Sequence, residues 1–267
     1  MNEKRLATWE AFESEVAVVF STVRAASEDT TMHVSSPLFR DQADDSWNLS
    51  TTLERFSPRP YAMNEYYRLL QAVRPAVLTL SSNATPLSAW KQEQVDIPAP
   101  PPGYEFMIYL RHHGFPSPLL DWTRSPYVAS FFAFQSARRD DGNVAIFVFR
   151  EYVNGGKGGL VGAPTIVGCG SYVAAHRRHH IQQCEYTICK KKDGEKWDYC
   201  SHENAIIDGN QEQDVLVKYL IPARERDKVL EKLDLMNVNS YSLFGNEEAL
   251  MATLAYREIE RREKGRG

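Results

Sequence analysis

The sequence predicts an α+β domain. Amphipathic helical stretches and short apolar strands are interspersed along the chain, and the regular strand–helix–strand rhythm of a parallel sheet is missing. No break in composition divides the 267 residues into two cores. A chain of this length, 43% hydrophobic and 25% charged, is ordinary globular usage, which excludes wholesale disorder. The expected organisation is one domain over 1–267, with an N-terminal helix in 1–30, a core over 34–221 and C-terminal helices over 222–267.

Leu6, Trp9, Phe12, Val16, Val19, Phe20 and Val23 recur at helical spacing, which predicts an amphipathic helix over about 4–26. The run 34–42 (Val-Ser-Ser-Pro-Leu-Phe-Arg-Asp-Gln) reads as extended, because its proline disfavours a helix. Met63, Tyr66, Tyr67, Leu70 and Val73 predict a second helix that ends near Pro75. The proline-rich stretch 97–103 is a stiff connection. Residues 104–113 then form a helix closed by Gly114 just past its last turn. Ser125-Pro126 is a strong helix start, a side-chain cap followed by proline at the first helical position. That helix is expected to reach about Arg139.

Val144 to Phe149 is a fully apolar strand after the turn at 140–143. The glycine-dense segment 155–170 reads as loop with a short strand inside it. Residues 186–189 and 214–221 are further strands. Pro222 opens a helix carrying Val229, Leu230, Leu233 and Leu235, and a last charged helix covers 246 to about 263.

Several function classes lose ground at once. Thirty-one basic against thirty-five acidic side chains give a net charge of -4, so no global field favours nucleic acid or an anionic membrane. No apolar run is long enough to cross a bilayer. The N-terminus lacks a signal-peptide core, so a soluble, cytoplasmic protein without membrane association is expected. The four cysteines (Cys169, Cys184, Cys189, Cys200) include no CxxC pair. With His176, His179, His180 and His202 they show no recognised zinc spacing, so no metal is expected. The glycines around Lys157 lack the spacing of a phosphate-binding loop.

Three places hold polar groups that can do chemistry. In the first, Arg111 to Thr123, His112 and His113 end a helix, two prolines fix the turn, and Asp121-Trp122-Thr123 precede the next helix. Such a junction can pack a titratable histidine against a carboxylate and lay an indole beside a planar ligand. Equally, His112 can cap the helix carbonyls, Asp121 can satisfy loop amides and Trp122 can be core. The second is Arg40, a guanidinium at the end of a buried strand, able to fork onto phosphate; Asp41 is an equally good trivial partner. The third is the basic run 176–180, a loop that neutralises a polyanion or faces water, followed by Gln182 and by Glu185 at the entrance to a strand. Glu185 is the best-placed carboxylate there for general-base or charge-stabilising work.

These residues resemble the FRG domain family. Phe39-Arg40-Asp41-Gln42 resembles its aromatic-Arg-Gly-Gln motif, and residues 112–123 resemble its His-His-Gly-x-Pro-Thr-Arg-Leu-Leu-Asp-Trp-Thr stretch. Ser125-Pro126, Phe132-Ala133 and Gln182 to Thr187 continue the likeness. Asp41 stands where the family motif has glycine, and Ser117-Pro118 where it has Thr-Arg. A more distant resemblance, in the order of elements, is to split-sheet ADP-ribosyltransferases. It implies a core of short strands in a split or bent sheet with helices at both termini. It further implies NAD as substrate, its pyrophosphate on Arg40, its nicotinamide against Trp122 or a neighbouring tyrosine with Thr123 or Asp121 fixing the amide, and His112 and His113 among the cofactor-binding residues. Glu185 or Gln182 would stabilise an oxocarbenium-like ribose, and the ADP-ribosyl group would be hydrolysed or passed to a protein or nucleic-acid acceptor. The implied setting is a bacterial toxin or anti-phage defence effector. A non-catalytic nucleotide-sensing or protein-interaction module is the alternative, and nucleic-acid binding through 176–180 a third.

Overall fold

The computed structural model describes residues 1–267 apart from 30, 32, 58, 81–86, 138–141, 154, 159–161, 171–176, 207–211 and 265–267. Its strands are β1 (Asn2–Arg5), β2 (Leu38–Gln42), β3 (Tyr61–Ala62), β4 (Leu120–Thr123), β5 (Asn143–Tyr152), β6 (Thr165–Gly168), β7 (Cys184–Asp193), β8 (Lys196–Tyr199) and β9 (Gln213–Pro222). They form a single mixed sheet in the order β1-β9-β5-β2-β4-β7-β8-β3, with β6 also paired to β7. The helices are α1 (Trp9–Ser27), α2 (Thr52–Phe56), α3 (Met63–Leu80), α4 (Gln92–Asp96), α5 (Tyr104–His112), α6 (Pro126–Gln135), α7 (Arg177–Ile181), α8 (Arg226–Leu235), α9 (Ser240–Phe244), α10 (Glu247–Ala255) and α11 (Arg261–Lys264). A π-helical turn, Tyr256–Glu260, joins the last two. Among the described residues no helix is long and apolar enough to cross a membrane.

The twofold alternation of side chains along a strand sorts the core into layers. Phe39, Ile146, Val148, Tyr219 and Ile221 pack with α1, α6 and α8 around Trp9, Phe12 and Phe134. Tyr186 and Ile188 pack with α3 and α5 around Tyr66, Leu70, Phe106 and Met107. Leu120, Trp122, Phe147, Phe149 and Leu220 make a third layer, covered by Leu49 and by Cys200, Ala205 and Ile206.

The pairing of β2 positions everything that follows. On one flank it runs antiparallel to β5 over five residue pairs, Leu38–Phe149 to Gln42–Ala145. On the other it meets β4 at one pair, Phe39–Thr123, and the two strands then part. β4 itself is continuously paired with β7 from Leu120–Thr187 to Thr123–Cys184. The sheet is therefore held together on both sides of an opening between β2 and β4.

The structure departs from the sequence expectations in several elements. The first helix starts at Trp9 rather than near residue 4, because Asn2–Arg5 pairs in parallel with Val217–Leu220 of β9. The Thr8 hydroxyl then accepts from the Ala11 N–H as the helix cap. Helix α3 runs through Pro75 to Leu80, although a proline removes one backbone bond. Its stripe of Tyr66, Tyr67 and Leu70, with Val73 and Val77, is anchored in the second core layer, which offsets that loss. Pro222 ends β9 instead of opening a helix, and α8 begins at Arg226 after a 3-10 turn. Residues 177–181 are a short helix rather than a loop, and His179 is buried against the Tyr186 ring instead of facing water. His176, and the end of the α6 pattern at Arg139, lie outside the described residues.

Candidate functional site

The junction from α5 to α6 follows from local chemistry. α5 ends in a left-handed Gly114 (φ 85°), and the Phe115 N–H returns to the Leu110 carbonyl at 3.0 Å. The chain then enters β4, where Leu120 and Trp122 point into the third core layer and Asp121 and Thr123 to the other side. Ser125 caps α6 by accepting from the Val128 N–H. Its neighbour Thr123 donates its hydroxyl to the Gln182 carbonyl at 2.7 Å, tying β4 to the turn before β7.

Asp121 is the hub of the opening. Arg40 Nη1 donates to its carboxylate and, at 2.8 Å, to its backbone carbonyl. Arg111, from the last turn of α5, reaches the same Asp121 Oδ1 at 2.5 Å and also donates to the Thr52 hydroxyl at 2.8 Å. The two guanidinium side chains are only 10% and 11% exposed, whereas the Asp121 side chain is 40% exposed. One carboxylate with an open outer edge thus holds two buried cations. Burial pushes the Asp121 carboxyl up, but Arg111 and then Arg40 outweigh it and hold it well below the usual range.

Asp41, the next residue on β2, behaves in the opposite way. Burial first, with Asp121 adding to it against the pull of Arg40, pushes it up to about 6. Arg55 stands exposed nearby. Partial burial, followed by repulsion from Arg40 and Arg111, lowers its pKa.

Two cavities meet here. One, of about 50 Å³, lies over β4 between Asp121, Thr123, Phe132 and Gln182. The other, of about 650 Å³, is lined by Gln42, Trp47, Asn48, Arg55 and Ser136. Arg40, Asp41 and Phe132 line both. The larger volume falls in the range of small-molecule sites, roughly 300–1,000 Å³. Its walls offer two guanidinium groups for an anion, the Asp41 carboxylate for donors, and two aromatic rings. Of these, the Trp47 ring is 55% exposed.

The expected site residues divide between this opening and its surroundings. Arg40, Asp121, Trp122, Thr123 and Gln182 line it together. The Trp122 ring, however, is 4% exposed, stacked on Phe149, with Nε1 donating to the Thr187 hydroxyl; it is core, and Trp47 and Phe132 are the rings that line the opening. Asp41 is not the partner of Arg40; Asp121 is. Gln182 donates from Nε2 to the Leu243 carbonyl at 3.1 Å. Glu185 is not among the residues lining either cavity. It lies 3.7 Å from the Arg124 guanidinium, with its pKa raised chiefly by burial. His112 and His113 also stand apart: His112 Nε2 is 3.1 Å from the Tyr186 hydroxyl, and His113 is exposed against Tyr109. The sequence offers no signal for Arg55 or Trp47, and it marks Arg111 and Phe132 only as part of the 111–123 stretch and of the following helix, without a role in a site. Arg111 reads there as an ordinary basic residue at a helix end, and residues 43–56 carry no periodic signal.

Residues 35–142 match the FRG domain. Over that stretch the chain is similar to the FRG domain. The matched span begins before β2 and ends where β5 starts, so it holds Arg40, Arg55, Arg111, Asp121 and the whole of α6. Gln182 and Glu185 fall outside it. No curated protein and no solved structure matches the chain.

Proposed function

We propose that this FRG-domain protein binds NAD or a related nucleotide in the opening between β2 and β4, as an ADP-ribosyltransferase-like domain that transfers or hydrolyses the ADP-ribosyl group. The observation that supports this reading is the parting of β2 from β4 after Phe39–Thr123, which leaves Arg40 beside a cavity of about 650 Å³. In this reading Arg40 and Arg55 take the pyrophosphate, with bidentate guanidinium geometry suited to its oxygens. Trp47 or Phe132 stacks on a planar ring. Asp121 keeps Arg40 extended and its charge balanced until the ligand arrives.

In the chemical step the bond between ribose C1′ and nicotinamide breaks, and nicotinamide leaves with the bonding pair. The ribose gains positive charge, which an adjacent carboxylate stabilises. A water or acceptor hydroxyl attacks C1′ and loses its proton to a base. Asp41 is the carboxylate shared by both cavities and takes these roles when ionised. The acceptor is a protein or nucleic acid, and the setting is that of a toxin or anti-phage effector.

Glu185 beside Arg124 and the bonded Gln182 amide favour a second reading, a nucleotide-sensing module without turnover. Incubation of the purified full chain with NAD, with released nicotinamide quantified by chromatography, separates the two. The enzyme reading expects release that falls at least tenfold in Arg40→Ala and Asp41→Asn and is unchanged in Glu185→Ala. Intact NAD with calorimetric binding that depends on Arg40 establishes the sensor. Neither release nor binding removes both.

A further inference from the structure

Cys189 and Cys200 face each other across β7 and the end of β8, with their sulfurs 3.2 Å apart. The Cys200 N–H donates to the Cys189 carbonyl at 3.0 Å, so the pair extends the β7–β8 ladder one step past Lys190–Tyr199. Residues opposed at such a position have Cα atoms about 5.5 Å apart, inside the ~4.4–6.8 Å span of a disulfide. The sulfurs need only close from 3.2 Å to about 2.05 Å.

The two cysteines differ in ways that divide the labour. Cys189 is buried, while Cys200 is partly exposed and lines a small cavity with Thr51, Glu54, Arg59 and Tyr61. Either thiol can donate in the hydrogen bond between them, and the contact lowers the Cys200 pKa and raises that of Cys189. Cys169 and Cys184 are both buried, and burial pushes the Cys184 thiol up to about 12 and Cys169 higher still. A thiolate, rather than a thiol, is the nucleophile, so Cys200 is the reactive member of the four. The cavity at Cys200 is about 30 Å³. That volume admits a molecule close to the size of water, which favours a small oxidant over a tripeptide disulfide.

We propose that Cys189 and Cys200 form a modification site for small hydroperoxides, Cys200 attacking and Cys189 resolving. The Cys200 thiolate attacks the terminal peroxide oxygen; the S–O bond forms, the O–O bond breaks, and hydroxide, or the alkoxide of an organic hydroperoxide, leaves to be protonated to water or the alcohol. Cys189 then attacks the sulfenic sulfur. The S–S bond forms, the S–O bond breaks, and the Cys189 proton leaves with the departing hydroxide as water. Two electrons pass from the thiols to one peroxide. The product pins the chain after β8 to β7. Just beyond it, His202 Nε2 stands 2.8 Å from the Thr187 hydroxyl that holds the Trp122 indole. The site does not depend on the nucleotide reading.

The test treats the full chain with stoichiometric hydrogen peroxide, alkylates residual thiols and maps the peptides by mass spectrometry. Cys184 and Cys189 share the tryptic peptide 179–190, so fragmentation places the link. The expected result is a Cys189–Cys200 bridge formed while Cys169 and Cys184 stay alkylated. In Cys189→Ser, dimedone traps a sulfenic acid at Cys200. Oxidation of all four cysteines at one rate, a bridge to Cys184, or a dimedone adduct absent from Cys200 overturns the assignment. Equal reaction with glutathione disulfide overturns the size selection. The wild-type map stands whether or not the variant folds.

Discussion

The two flanks of β2 are built on different physics. Toward β5 the strand is joined by five residue pairs and closed by apolar side chains, with Phe39 and Phe147 0% and 1% exposed. Toward β4 it is joined by one pair, and beyond that the contact is ionic, Arg40 and Arg111 converging on Asp121. The dry flank supplies stability without regard to pH or salt. The charged flank leaves space, solvent access and uncommitted hydrogen-bonding capacity at one edge of a rigid sheet. A ligand site needs that combination, and it arises here because a strand need not pair equally on both sides.

Substitutions sort the flanks by size of effect. Phe147→Ala opens a void in the dry flank and should cost about 3–5 kcal/mol, read by urea unfolding, with little change between pH 5 and 8. Asp121→Asn should cost on the order of 2–4 kcal/mol, since it strands two nearly buried guanidinium groups; the solvated edge of Asp121 keeps this below a fully buried pair. Because the Asp121 pKa is lowered in the fold, its contribution is complete above the unfolded value of about 3.9 and fades as pH falls through the folded one. The gap between wild type and Asp121→Asn should therefore narrow in acid, and a gap independent of pH would remove the ionic account.

Asp41→Asn carries the opposite sign. With a folded pKa of about 6, ionised Asp41 opposes folding above that pH, and the penalty vanishes below about 4. The variant should gain about 1–2 kcal/mol at pH 8 and nothing at pH 3.5. A loss at pH 8 would mean that Asp41 is paired rather than desolvated. Trp47→Ala should be the mildest for the fold, within about 0.5 kcal/mol, because its ring is more than half exposed. It should still weaken nucleotide binding by titration calorimetry, and unchanged affinity would take Trp47 out of the site.

Arg40, Asp121, Thr123 and Gln182 are visible one at a time in the sequence, but their meeting is not, and Trp47 and Arg55 carry no signal there. Ser125-Pro126 and Gly114 announce the α5–β4–α6 junction because each supplies a backbone conformation or a cap that few residues can. Arg40 and Asp121 stand out as charges amid apolar sequence. Their bond spans 81 positions, and alternation along a strand says which face a residue takes, not which strand it lies beside. For the same reason the sequence offers Asp41 as an equally good partner of Arg40, although neighbours on a strand point to opposite faces. Glu185 reads in the sequence as the carboxylate at the mouth of a strand, yet pairing with Trp122 sets it on the third-layer side, near Arg124. Trp122 was legible as core by its size and apolar setting; only the stacking on Phe149 decided between core and ligand platform.

Hydrogen exchange with and without NAD puts the central claim to the most direct test. Binding between β2 and β4 should slow exchange in residues 38–49 and 120–124 and leave α8 to α11 unchanged. Protection confined to the separate cavity of about 320 Å³ among Phe131, Arg226, Asp234 and Tyr256, or no protection at saturating NAD, would contradict it.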